Sequence, residues 1–66
     1  MELLLNGEAT SAPESLSVAG FLDRLGLPRK GIAVELNRVI VPKSEYAATQ
    51  LTDGDKIEIV QFVGGG

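Results

Sequence analysis

The sequence contains neither cysteine nor histidine, and these two absences exclude several kinds of chemistry. Without cysteine the chain can form no disulfide, no thiolate metal site and no thiol nucleophile. Without histidine, no side chain titrates near neutral pH unless its surroundings shift its pKa. A Ser-His-Asp triad or a Cys-His pair is therefore impossible within this chain.

Positive charge is also scarce. Six Lys and Arg residues stand against nine Asp and Glu residues, which gives a net charge of −3, and the basic residues are scattered along the chain. A nucleic-acid-binding domain needs a clustered basic face, and anionic membranes attract basic segments. The composition therefore argues against both partners, nucleic acid and membrane.

Long apolar runs are missing as well. The longest, such as residues 3–5 and Val39–Val41, are far shorter than the roughly 20 residues that cross a bilayer. The chain opens on a strand-like pattern, without a basic region or a signal-type apolar stretch. These features predict a cytoplasmic location.

The chain of 66 residues, 44% of them apolar, is enough for one small domain. A domain of this size has little room for an internal pocket of a few hundred Å³. We expect a folded domain over residues 1–62 and a flexible C-terminal tail over residues 63–66.

The first half of the sequence predicts two strands and a helix. Residues 1–5 and 8–12 read as strands joined at Asn6-Gly7, the strongest two-residue hairpin signal. Val18, Phe21, Leu22 and Leu25 then follow at helical spacing and form one apolar stripe. Either Ser15 or Ser17 can cap the start of this helix, and Gly26 ends it.

The second half predicts the remaining strands. Residues 32–36 and 39–41 form a hairpin through Asn37-Arg38, residues 44–48 make a short helical turn, and residues 56–62 form the last strand. One helix stripe and one sheet face predict a two-layer α+β domain with a mixed sheet. The first and last strands can pair in parallel, because the connection between them is long enough for a crossover.

Side-chain parity along the last strand predicts a docking surface. If Ile57 and Ile59 face the helix, Val60 and Phe62 face away from it. Leu4 should lie on the same outer face, and Ala33 can join it. A contiguous apolar patch beside the C-terminal tail favours partner binding.

Other polar groups have simpler interpretations. Asp53-Gly54-Asp55 offers two carboxylates to a metal, but a hard cation usually needs six or more oxygens, so we predict a turn and no metal site. Arg29 and Lys30 are expected in a solvated loop, since no phosphate-binding signature surrounds them. Tyr46 is predicted to be partly buried over the sheet edge, with its hydroxyl reaching water.

The sequence ends Val63-Gly64-Gly65-Gly66. Glycine has no Cβ, so such an arm adopts almost any backbone conformation and can enter a slot too narrow for other residues. We interpret Gly66 as the working end, carried into the active site of another enzyme. The alternative is a frayed terminus or a Gly-rich linker.

Taken together, these features resemble the bacterial sulfur carriers of thiazole biosynthesis, the ThiS family of ubiquitin-like β-grasp proteins. The resemblance covers the whole chain. It is carried by the Asn6-Gly7 hairpin, the turn at residues 36–38, the stretch 40–43 with Tyr46 beyond it, residues 53–60 and the terminal glycines.

The resemblance implies a chemistry for Gly65 and Gly66. An adenylyltransferase of the ubiquitin-activating type would use ATP to adenylate the terminal carboxylate, and no cofactor would be bound by the carrier itself. A persulfide sulfurtransferase would supply sulfur for a thiocarboxylate, and thiazole synthase would consume it. The carrier would be a protein co-substrate and not an enzyme. We expect its partners to contact Gly64 of the tail and the residues that strand parity places on the outer face, Val60, Phe62 and Leu4.

Three other functions stay open at this point. The small subunit of molybdopterin synthase uses the same tail chemistry, although those chains tend to be longer. A non-covalent ubiquitin-like binding module would need no tail chemistry, and a modifier would be attached to lysines through Gly66. Fold alone does not separate these functions.

Overall fold

A computed structural model of the chain describes residues 1–62, which form a five-stranded mixed sheet and one main helix. The sheet has the order β2-β1-β5-β3-β4. Its strands are β1 (Glu2–Leu5), β2 (Glu8–Ser11), β3 (Ile32–Leu36), β4 (Val39–Val41) and β5 (Lys56–Gln61). The helix α1 spans Val18–Leu25, and a short 3-10 helix spans Lys43–Glu45. The predicted α+β class is confirmed, while the predicted tail over residues 63–66 lies outside the described residues.

Both predicted hairpins form, and both need unusual backbone angles. The β1–β2 turn has φ values of 48° at Asn6 and 85° at Gly7. The β3–β4 turn has φ values of 51° at Asn37 and 70° at Arg38. Two consecutive residues with positive φ match the right-handed twist of the strands that they join, which explains the preference for Asn and Gly there.

Strand β5 lies in the middle of the sheet and is paired on both sides. It pairs in parallel with β1, with Leu4 opposite Lys56 and Leu5 opposite Ile57. It pairs antiparallel with β3 over five positions, from Ile32 opposite Gln61 to Leu36 opposite Ile57. The parallel pairing predicted for the first and last strands is therefore confirmed.

Helix α1 begins and ends at capping residues. Ser17 is the N-cap, and its hydroxyl accepts a hydrogen bond from the amide of Gly20 at 3.0 Å. Gly26 follows the helix with φ 72°, the left-handed conformation that closes many helices. Val18, Phe21 and Leu22 are buried against the sheet. Leu25, the last member of the predicted stripe, is 37% exposed because the helix ends there.

The core is a single cluster between α1 and one face of the sheet. Its buried members are Leu3, Ala12, Val18, Ala19, Phe21, Leu22, Ile32, Val34, Val41, Tyr46, Leu51, Ile57 and Ile59. The prediction that Tyr46 is only partly buried was wrong, because the residue is only 3% exposed. The turn after the 3-10 helix brings Tyr46 beneath α1, where its carbonyl also accepts a hydrogen bond from the amide of Ala19 at 2.9 Å.

Helix length in the described part of the chain bears on membrane insertion. None of the helices formed by residues 1–62 is both long enough and apolar enough to cross a bilayer.

Candidate functional site

The outer face of the sheet, opposite α1, carries the candidate site. On β5, Ile57 and Ile59 are buried, whereas Val60 is 56% exposed, and Phe62, just beyond the strand, is 65% exposed. This alternation confirms the predicted parity of the last strand. It follows from the two-residue period of a strand that covers a core with one face only.

The strand register divides the exposed apolar residues into separate groups. Val60 lies directly opposite Ala33, and the amide of Phe62 donates to the carbonyl of Gly31 at 2.8 Å. We call Val60, Phe62 and Ala33 the apolar end of the outer face. It lies next to the point where residues 63–66 follow.

Leu4 lies at the opposite end of the same face. It is 36% exposed and pairs with Lys56, four residues before Val60 on β5. At a rise of about 3.3 Å per residue, the two positions are roughly 13 Å apart along the strand. The single contiguous patch predicted for Leu4, Val60 and Phe62 is therefore two patches on one face.

Charged residues occupy the space between these two patches. Glu58 lies directly opposite Glu35 on the outer face, and Lys56 precedes Glu58 on the same side of β5. No ion pair formed within residues 1–62 includes either glutamate. Ile40 of β4, whose side chain is exposed, lies opposite Glu35. The face is thus apolar at both ends, and its centre holds two glutamates beside the exposed Ile40.

The acidic turn at residues 53–55 uses its carboxylates to hold the backbone. Asp53 Oδ1 accepts a hydrogen bond from the amide of Glu2 at 2.6 Å, and Asp55 Oδ2 accepts one from the amide of Thr52 at 2.8 Å. The predicted turn is confirmed. Within residues 1–62, no group of three or more acidic side chains is placed to hold a metal ion.

A shallow groove of about 260 Å³ opens beside the last residues of β5. Its lining combines apolar side chains from both layers with two amides: Leu5, Asn6, Leu25, Leu27, Ile59 and Gln61. The groove and the apolar end lie on opposite sides of the strand that leads to residue 63. Gly64, Gly65 and Gly66, the predicted reacting and partner-binding glycines, lie outside the described residues.

Sequence reasoning missed two features of this site. The opposition of Glu35 and Glu58 depends on strand register, for which the sequence carries no local signal. The second is the side chain of Asn6, which the sequence identified only as a turn residue although it also bonds to β5. The hairpin signal could have drawn attention to Asn6 but not to its distant bonding partner.

A mixed five-stranded sheet with one helix on a single face and a central parallel pair defines the ubiquitin-like β-grasp class. The crystal structure of the thiamine biosynthesis protein ThiS from Geobacter metallireducens has this fold. It matches the present chain with a TM-score of 0.86 and 35% identity, covering all of both chains.

Sequence comparison gives the family. The model of the ThiS family matches residues 3–66. The sulfur carrier protein ThiS of Bacillus subtilis (strain 168) is 38% identical over 65 residues, which cover 97% of this chain and 98% of that protein. The chain belongs to the ThiS family, a family of small sulfur carrier proteins in thiamine biosynthesis.

A second kind of relative is much longer. A thiazole synthase from Paramagnetospirillum magneticum (strain ATCC 700264 / AMB-1) is 48% identical over 66 residues, all of this chain but 20% of that protein. The chain spans about a fifth of the length of the thiazole synthases that it matches.

Proposed function

We propose that this chain carries sulfur, as a thiocarboxylate on Gly66, for the thiazole of thiamine. The observation that supports this most directly is the match of the ThiS family model over residues 3–66, which includes the terminal glycines. Relatives of the same length are named sulfur carrier proteins. In this function the globular part supplies recognition, and the reaction takes place at the end of a glycine arm.

The proposed chemistry needs a partner that binds ATP. A carboxylate is a poor electrophile, and adenylation by an activating enzyme converts it to an acyl adenylate with AMP as leaving group. The chain contains no phosphate-binding loop signature, so the nucleotide would be held by the partner. The outer sulfur of a persulfide on a sulfurtransferase would then attack the acyl carbon and displace AMP, and a thiol of a partner would reduce the resulting acyl disulfide to release the thiocarboxylate. Because ATP is consumed, we place the reaction in the cytoplasm.

The outer face supplies the proposed docking surface. Val60 and Phe62 at the apolar end are exposed, and both lie within a few residues of the glycines that must enter the partner's active site. Leu4 offers a second apolar contact at the far end of the face. Contacts at both ends would orient the carrier better than one patch, because two separated contacts resist rotation on the partner surface.

Thiazole synthase is the proposed recipient of the sulfur. Two proteins named thiazole synthase contain a segment homologous to the whole of this chain. Carrier and synthase joined in one polypeptide would act at a high effective concentration, which favours a shared reaction sequence. We propose that the present chain serves a thiazole synthase in the same way.

The decisive experiment measures the mass of the carrier before and after sulfur transfer to Gly66. Incubation with ATP, the activating enzyme, a persulfide donor and a thiol reductant should replace one oxygen of the Gly66 carboxylate with sulfur. Fragment mass spectrometry should place the change on the last residue, and a chain whose carboxylate is blocked should show none. Intact-mass analysis of the protein from its native cells would establish whether Gly66 carries the free carboxylate.

The carrier with a thiocarboxylate on Gly66 also distinguishes among the remaining candidate functions. It should support thiazole formation with thiazole synthase and fail to transfer sulfur to a molybdopterin precursor. The reverse preference would keep the tail chemistry and move the protein to molybdenum-cofactor synthesis. A chain that binds partners through its sheet but never gains sulfur would be a non-covalent binding module.

A further inference from the structure

The ladder between β1 and β5 stops at Asn6, where the chain turns away. The amide of Leu4 donates to the carbonyl of Asp55 at 2.9 Å, and the amide of Asn6 donates to the carbonyl of Ile57 at 3.0 Å. The turn at Asn6 and Gly7 then directs the backbone into β2. As a result, the backbone of β1 provides no further partner for Ile59, the next residue of β5 that faces it.

The side chain of Asn6 takes the place of the missing strand. Its Oδ1 accepts a hydrogen bond from the amide of Ile59 at 2.8 Å, and its Nδ2 donates to the carbonyl of Ile59 at 3.2 Å. A carboxamide offers the same donor and acceptor as a peptide group. The Asn6 side chain therefore extends the pairing of β5 by one step, between residues 53 positions apart in the sequence.

The hairpin turn alone does not require this side chain. Asn6 has φ 48°, and Asn, Asp and Gly are all common at that position of a two-residue turn. Gly lacks a side chain that could bond to Ile59, and Asp offers an acceptor but no donor when ionised. Asn is suited to the turn and also forms hydrogen bonds with both the amide and the carbonyl of Ile59.

Ile59 is the last point at which β5 is held on both sides within residues 1–62. On the β3 side, pairing continues to the bond between Phe62 and Gly31. Gln61 lies opposite Ile32, between two hydrogen-bonded pairs, so its own backbone groups point away from β3. Gln61 is also one of the residues that line the groove. The Asn6 side chain thus marks where two-sided support of β5 ends.

We propose that Asn6 is a positioning residue that fixes the end of β5 and so the direction in which residues 63–66 leave the sheet. This inference rests on the proposed function, in which Gly66 must reach a reacting atom in a partner. Small errors in the placement of a reacting group can cost a large factor in rate. Because the apolar end and Leu4 do not depend on Asn6 for exposure, docking itself should be preserved.

The chain contains a matched control at the other end of the same strand. Asn37 also begins a two-residue hairpin turn, with φ 51°. Its Oδ1 accepts from the amide of Lys56 at 2.9 Å, and its Nδ2 donates to Asp55 Oδ1 at 3.0 Å. Asn37→Gly therefore removes comparable bonds from the start of β5, whereas Asn6→Gly removes them from its end.

The test compares Asn6→Gly with Asn37→Gly in amide exchange and in steady-state adenylation of the carrier by its activating enzyme. Both variants are assayed at a temperature where circular dichroism shows them folded. Asn6→Gly should speed exchange at Ile59 and lower kcat about tenfold or more, with KM for the carrier within about twofold of the wild type. Asn37→Gly should leave kcat unchanged.

Each other outcome decides against the proposal. Equal kcat for the two variants would show that Asn6 serves the turn and the fold only. A rise in KM without a fall in kcat would make it a docking residue. If Asn6→Gly does not fold, Asn6→Asp takes its place, since it keeps the turn but sets an oxygen against the Ile59 carbonyl. If the wild-type chain is not adenylated, the proposed function is overturned together with the positioning role. If the wild type is adenylated normally and Asn6→Gly has the same kcat, only the positioning role of Asn6 is overturned.

Discussion

Neighbouring residues on β5 have opposite roles because successive side chains of a strand point to opposite faces. Ile59 is buried against α1, while Val60, the next residue, is more than half exposed. Both are β-branched and apolar, so residue type does not separate them. What separates them is the face of the sheet on which each side chain lies. The same substitution should therefore have opposite consequences on the two faces.

Val60→Asp should leave the fold intact and weaken binding of the activating enzyme by about 1–3 kcal/mol, the range of an interface anchor. The matched control is Ile57→Asp, which buries a carboxylate with no partner and should lower the free energy of unfolding by more than about 4 kcal/mol. Thermal melts followed by circular dichroism and titration calorimetry measure the two quantities. If Val60→Asp unfolds the chain and Ile57→Asp is tolerated, the two faces of β5 are reversed.

At the scale of elements, the outer face contains one unfavourable pairing. Glu35 of β3 and Glu58 of β5 lie directly opposite each other in a hydrogen-bonded register. Like charges at such positions repel each other and reduce the stability of the sheet. Lys56 is the basic residue of the outer face of β5, and it forms no ion pair with another residue of the range 1–62. A partner with basic groups near its apolar contacts would relieve the repulsion.

Replacing one of these glutamates should therefore stabilise the free protein. For Glu58→Gln we expect the free energy of unfolding to rise by about 0.2–1 kcal/mol at low ionic strength, with a smaller gain in high salt because exposed charges are screened. Urea denaturation at two salt concentrations measures the effect. Glu8→Gln is the control, since Glu8 is exposed on β2 opposite Leu5. A similar gain from both substitutions would trace the effect to net charge.

At the scale of the whole molecule, the core formed by residues 1–62 lies between α1 and one face of the sheet. Its buried side chains run from Leu3 to Ile59, and α1 covers one face of the sheet. Glycine has no side chain to bury, so the last three residues can add no apolar side chain to this core. Stability and the proposed chemistry should consequently be separable in the chain.

Deletion of Gly66 should leave the melting temperature unchanged and abolish adenylation by the activating enzyme. The fold is unaffected because no core residue is lost, and the reaction fails because the reacting carboxylate moves back by one residue. Differential scanning calorimetry and an assay of AMP transfer from labelled ATP measure the two effects. A truncated chain that accepts AMP normally would contradict the assignment of Gly66 as the reacting residue.

Local patterns in the sequence were enough to predict the strands, the helix and which side chains of β5 face the core. The Asn6-Gly7 and Asn37-Arg38 turns, the helix between Ser17 and Gly26 and the alternation along β5 each depend on residues close together in the chain. Their physical causes are backbone angles, capping bonds and side-chain period, all of which act over a few residues. The terminal glycines likewise stand in the sequence itself.

Only the tertiary structure decided which distant residues meet. The distance of Leu4 from Val60, the opposition of Glu35 and Glu58 and the bonds from Asn6 to Ile59 all depend on strand register. A shift of two residues would keep every side chain on its proper face, so the apolar pattern alone does not choose among such registers. Tyr46 is buried for a related reason, since its exposure is set by how the turn after the 3-10 helix packs beneath α1.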